Sequence, residues 1–128
     1  MAELIIYNKF DSEFHKNITI EISHKVVPAD TVKWIIAGID EFKFIRDLSE
    51  SFDIHHLSLE DIFSTNHLPK FEIFDEYYFL ALKYIDYISD VENFKVYHIS
   101  LILKNNTLLC FTEGANNHVI EDVKTRIS

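Results

Sequence analysis

Glycine and proline are almost missing from this chain, with two of each in 128 residues. That scarcity excludes collagen-like, linker-like and low-complexity character, because such chains depend on those residues to stay extended or mobile. Cysteine is reduced to Cys110, so there can be no internal disulfide, and no Cys/His zinc spacing occurs. Cys110 sits in an apolar strand-like run, where it reads as a small buried hydrophobe. Basic residues are also scarce: 12 Lys and Arg stand against 21 Asp and Glu, for a formal net charge of −9. A surface of that sign repels phosphate backbones and anionic lipid, so nucleic acid is excluded as a partner and cations are favoured. No run approaches the ~18 apolar residues of a membrane span, and no leader pattern opens the chain. As given, it reads as a soluble domain. A Gly-rich phosphate loop, a G-x-S-x-G elbow and an H-E-x-x-H pair are all absent, which leaves covalent catalysis without a sequence basis.

What is present is apolar and aromatic: 48% hydrophobic and 14% aromatic residues, enough for the core of one domain. Glu3 to Tyr7 reads as a strand and Asn8 to Asn17 as a loop. Ile18 to Ile22 alternates with period two and is predicted to be a second strand. Val32 to Ile36 is a third, followed by a helix over Glu41 to Phe52 with Asp40 as N-cap and Phe44, Ile45, Leu48 and Phe52 on one face. Pro69 suits the start of a short strand, Lys70 to Phe74, which the Asp75-Glu76 turn ends. Tyr77 to Ile85 is apolar on both alternating faces, as expected of a central strand covered on both sides. Polar residues from Asp86 to Asn93 break it. Val96 to Leu103 then alternates, and Asn105-Asn106 supports a tight hairpin into Thr107 to Phe111. From Asn117 onward, Val119, Ile120, Val123 and Ile127 mark an amphipathic helix that reaches Ser128 without a stop signal, as if the chain were cut inside it. The predicted core includes Trp34, Leu80, Leu82, Leu101 and Phe111.

The segment Phe52 to Asp75 links the helical part to the sheet and holds the densest polar chemistry. Ser58 is predicted to cap a helix running to Phe63. Asp61 would complete a capping box, and Leu57 with Ile62 would form a hydrophobic staple. Glu60 and Asp61 then lie in the first turn, where acids interact favourably with the free N–H groups of the helix end. Helix capping alone accounts for them. His55, His56 and His67 flank the acid pair, and seven histidines in all invite a metal reading. For each histidine a surface or half-buried structural role is the stronger reading than metal ligation.

The same segment resembles the signature of the cytoplasmic domain of CorA-type magnesium transporters, which runs His-Pro-Leu, Leu-Glu-Asp-Ile-Leu, then Arg-Pro-Lys-x-Glu. Leu57, Leu59, Glu60, Asp61, Ile62, Pro69, Lys70, Glu72, Phe74 and Tyr77 match at the family's spacing. Val96 to Phe111 resembles its closing hairpin, with Glu113 following. His56 stands where a proline is usual, and Leu68 where an arginine is; the missing arginine removes an ion pair from this segment. The resemblance implies an α/β fold of α/β/α layers with a mixed, largely antiparallel sheet. Residues 1–128 would form the N-terminal regulatory domain, truncated at the following long helix. The Gly-Met-Asn pore motif is absent, since the sole methionine is Met1.

Further implications of the resemblance are a homopentamer at the cytoplasmic face of the inner membrane, joined to that membrane through C-terminal helices not in this sequence. Glu60 and Asp61 match acids that bind regulatory Mg²⁺ between subunits and hold the channel shut. The function implied is divalent-cation sensing, for Mg²⁺, Co²⁺ or a related ion, with no enzymatic step. Two readings compete with it: a stand-alone metal-dependent enzyme using the histidine and carboxylate cluster, and an assembly module whose acids only cap a helix. A deep pocket joining His55, Glu60 and Asp61 would favour the enzyme.

Overall fold

The computed structural model describes residues 2–64, 68–87, 94–113 and 118–127. In chain order the elements are β1 (Glu3–Tyr7), β2 (Ser12–Lys16), α1 (Ile20–Ser23), β3 (Val32–Gly38), α2 (Phe42–Ser51) and α3 (His56–Phe63). They are followed by β4 (Lys70–Ile73), β5 (Tyr78–Tyr87), β6 (Phe94–Lys104), β7 (Thr107–Thr112) and α4 (His118–Ile127). The strands form one seven-stranded sheet in the order β2-β1-β3-β7-β6-β5-β4. β3 and β7 run parallel, and every other neighbouring pair is antiparallel. The mixed, largely antiparallel α/β fold expected from the sequence is therefore present.

Alternation along each strand sends side chains to two different layers. One face carries Leu4, Ile35, Leu109, Ile102 and Phe79, packed with Ile45 and Leu48 of α2 and Ile62 of α3 into the main core. The opposite face carries Ile5, Trp34, Cys110 and Ile99, covered by Ile120 of α4. α4 is anchored by Lys124, whose Nζ donates to Glu3 Oε2 at 2.7 Å. Its cover does not reach the β5–β4 side. There Leu103, Tyr78 and Phe71 are 44%, 47% and 57% exposed and, with Leu80, Leu101 and Leu108, line an open apolar trough, while Leu82, 39% exposed, borders the cleft beneath α4.

That half-covered face corrects two expectations. Leu82 is exposed and Leu80 and Leu101 are only half-buried, whereas Trp34 and Phe111 are in the core as expected. Likewise β5 is fully covered on one side only: Phe79 and Ala81 are buried, while Tyr78 lines the trough and Leu82 borders the cleft beneath α4, both exposed. The sequence signal was sound in that both faces are apolar. Apolarity, however, does not specify whether a cover lies within the same stretch of chain.

Local pattern also failed at the N-terminal end. Ile18 to Ile22 is not a strand: Thr19 caps the single-turn α1, its Oγ1 accepting from Ile22 N at 3.3 Å, and Ile18 and Ile20 turn into the main core. Five residues are too few to separate period 2 from one helical turn. The strand pairing with β1 comes instead from Ser12 to Lys16, within the expected loop. Its residues are mostly exposed and polar, as suits an edge strand. At α2 the cap is Glu41 rather than Asp40, and the Glu41 carboxylate reaches back to accept from Gly38 N at 2.8 Å.

The hairpin at Asn105 is as expected, with φ 54° at that residue. Strands β4, β6 and β7 and helix α4 fall where the patterns placed them. The proposed break at Asp86 to Asn93 overlaps β5 at its first two residues and otherwise lies outside the described residues.

Candidate functional site

The site is built on the turn that joins α2 to α3. α2 ends in a Schellman motif, with Ile54 N donating to Ser49 O at 2.8 Å and Asp53 N to Glu50 O at 3.2 Å. Asp53 occupies the left-handed position, at φ 56°, where glycine is commonest. The carbonyl of Phe52 accepts from Lys104 Nζ at 2.6 Å, which ties the end of α2 to β6.

α3 then begins earlier than the sequence suggested. Its N-cap is His55, whose Nδ1 accepts from Leu57 N at 3.1 Å. Ser58 lies inside the helix and is fully buried, so it is not the cap. The hydrophobic staple shifts with it: Leu57 is 53% exposed, and Ile54 and Leu59 take the staple positions, packed against the main core. With His55 as cap, Glu60 and Asp61 move from the first turn to the second, and no acid remains in the first. The capping-box explanation for Asp61 is thereby removed. So is the macrodipole explanation for both acids, since that effect fades beyond the first turn.

Tyr77, buried at the mouth of β5, fixes this helix. Its hydroxyl accepts from His55 N at 3.1 Å and shares a 2.8 Å hydrogen bond with Ser58 Oγ. The ring stacks on Phe74 at 4.5 Å. One turn further along, Asp61 forms an ion pair with Lys70 at the start of β4, and Lys70 also reaches Glu72 Oε1 at 3.3 Å. The hydrogen bond that Lys70 donates to Asp61, helped by Glu72, holds the Lys70 ammonium above its ordinary range against a smaller effect of burial. Glu60 is exposed. The acid pair thus sits on a rigid element with one carboxylate outward and the other tied to β4.

The histidines do not join it. His55 stacks on His56 at 4.4 Å, and its Nδ1 is engaged in the cap. His67 lies outside the described residues. No three His, Cys, Asp or Glu side chains among the described residues are placed to hold a metal ion together. The donor set suits a hard, mostly hydrated cation such as Mg²⁺, which is often held by one or two carboxylates and several waters. It does not suit a cage of protein ligands. The apolar cleft beneath α4 and the trough beside it are lined by other residues, and neither contains His55, Glu60 or Asp61. Elsewhere, burial pushes the Cys110 thiol up to about 12, leaving it unreactive at neutral pH.

Sequence reasoning missed Tyr77 and Lys70 as parts of this site. Both lie in the matched segment, but only the folded register brings them to α3.

A seven-stranded mixed sheet with helices on both faces defines the class of layered α/β domains. Residues 29–128 match the family described as CorA-like Mg²⁺ transporter protein. The chain is 33% identical to the cobalt/magnesium transport protein CorA of Thermotoga maritima over 129 residues, covering 98% of this chain and 36% of that protein. Its fold superposes on the soluble domain of CorA from Methanocaldococcus jannaschii with a TM-score of 0.65 at 16% identity, covering 95% of this chain and 44% of that one. It also resembles the ZntB cytoplasmic domain of Vibrio parahaemolyticus, with a TM-score of 0.69 at 12% identity over 96% of this chain and 48% of that one. The chain belongs to the CorA-like Mg²⁺ transporter family and has the fold of its N-terminal cytoplasmic domain. It spans about a third of the curated relative it matches, at 36%. No described helix is long and apolar enough to cross a membrane.

Proposed function

We propose that this chain is the cation-sensing regulatory domain of a CorA-like transport protein for Mg²⁺ or another divalent cation. In that protein it would work at the cytoplasmic face of the membrane, as part of a homopentamer whose further helices supply the membrane anchor and the pore. Glu60 and Asp61 are the regulatory ligands, and a neighbouring subunit supplies the facing acid. The observation that carries this reading is the position of the pair. Neither acid lies in the first turn of α3, so helix capping does not account for them, and Glu60 points its carboxylate into solvent. Bare carboxylates facing each other across a subunit boundary repel. A bound cation offsets that repulsion and shifts the population toward the closed arrangement, and its loss releases it.

Half of such a site lies in the partner, so the 128-residue chain alone should bind Mg²⁺ weakly. Calorimetric titration of the full-length oligomer tests the assignment. Saturable Mg²⁺ binding that Asp61→Asn removes is expected; binding unchanged by Asp61→Asn and Glu60→Gln together contradicts it.

A further inference from the structure

The ion pair between α3 and β4 has a regulatory consequence. Resting on the reading of Asp61 as a cation ligand, we propose that Lys70 is a built-in competitor for that cation, its ammonium holding Asp61 in the ion-free state and yielding it when a divalent ion binds.

The geometry is that of a small cation held between two carboxylates. Lys70 and Glu72 are two residues apart on β4 and so share a face of the sheet, and α3 carries Asp61 down onto that face. Lys70 Nζ pairs with Asp61 Oδ2 and lies 3.3 Å from Glu72 Oε1. All three side chains keep solvent access, at 36% for Lys70, 23% for Asp61 and 41% for Glu72. A hydrated ion can therefore reach the carboxylates, and the ammonium can swing away on its flexible stem without breaking the core.

Charge decides the competition. Asp61, Glu72 and Lys70 together carry −1 − 1 + 1 = −1; without the ammonium the same place carries −2. Divalent-cation affinity rises with the number of ligand charges, so Lys70 lowers affinity and raises the concentration at which Asp61 is taken. A sensor that must stay empty at low cation and fill at high cation needs such a threshold.

The test is calorimetric titration of the 128-residue chain with MgCl₂, comparing wild type, Lys70→Met, Lys70→Arg and Lys70→Met/Asp61→Asn, with thermal unfolding recorded at each Mg²⁺ concentration. Lys70→Met should bind Mg²⁺ at least about tenfold more tightly than wild type, within the usual range of site coupling. Its melting temperature should rise with Mg²⁺ more than that of wild type. Lys70→Arg should behave as wild type, and Asp61→Asn should abolish the gain. Should Lys70→Met not fold, Lys70→Gln carries the same expectation. A folded Lys70→Met or Lys70→Gln chain with wild-type affinity overturns the proposal, as does a gain that survives Asp61→Asn. The sensing role itself is judged apart from this, by Asp61→Asn in the oligomer with Lys70 intact.

Discussion

The hydroxyl of Tyr77 lies 2.8 Å from Ser58 Oγ and accepts the backbone N–H of His55 at 3.1 Å, so one side chain at the start of β5 positions the whole first turn of α3. Replacing Tyr77 by Phe keeps the ring on Phe74 and deletes only the hydroxyl. Ser58 and the His55 N–H then lose an interior partner, at a cost of about 1–3 kcal/mol. Urea unfolding should show that loss with an unchanged m-value. An unshifted midpoint would mean that α3 is held by its apolar contacts alone.

Asp53 tests the joint before it. Holding a non-glycine residue in the left-handed region costs free energy that glycine does not incur, so Asp53→Gly should raise stability by up to about 1 kcal/mol. Thermal unfolding would register this as a higher midpoint, and a lower one would show that the Asp53 side chain contributes more than its backbone strain removes.

Acid should loosen the contact between α1 and α2. His24 stacks on Phe52 at 4.3 Å, and Lys33 of β3 lies over the same ring, 5.8 Å from its centre. Burial first, then the charge of Lys33, hold the His24 pKa below 6.5. A base whose folded pKa is depressed binds its proton more readily when unfolded. The stability it contributes is present above about pH 6.5 and is lost as pH falls through that value toward the folded pKa. Between pH 7 and 5 the wild-type midpoint should fall more steeply than that of His24→Gln; parallel profiles would remove His24 as the cause.

The two faces of β5 should answer differently to truncation. Phe79 is fully buried in the main core, and its replacement by Ala should cost about 3–5 kcal/mol. Leu82 is 39% exposed at the border of the cleft beneath α4, and Leu82→Ala in this chain should cost less than about 1.5 kcal/mol. Chemical denaturation of both variants gives the comparison, and equal losses would mean that this face of β5 is covered in solution.

The comparison of sequence with structure turns on such details. β3 to β7 and both long helices were legible because each has a clear apolar period, and the Leu59 to Glu72 segment matched its family without gaps. The start of α3 was not legible. Ser58 has the chemistry of an N-cap, but His55 does as well, and the choice between them was made by Tyr77, 22 residues away in sequence. The same holds for Asp61, whose partner Lys70 becomes its neighbour only once β4 pairs with β5. Local rules rank the candidates for a cap or a charge partner; long-range register selects among them.

The central claim is that a cation on Glu60 and Asp61 holds the transporter closed. Its most direct test is Mg²⁺ uptake by the full-length protein in sealed vesicles, measured against the Mg²⁺ concentration at the face that carries this domain. Wild-type uptake should fall as that Mg²⁺ rises, and Glu60→Gln/Asp61→Asn should keep transporting at concentrations that silence the wild type. Identical inhibition curves for the two proteins, at equal amounts in the membrane, would contradict the claim.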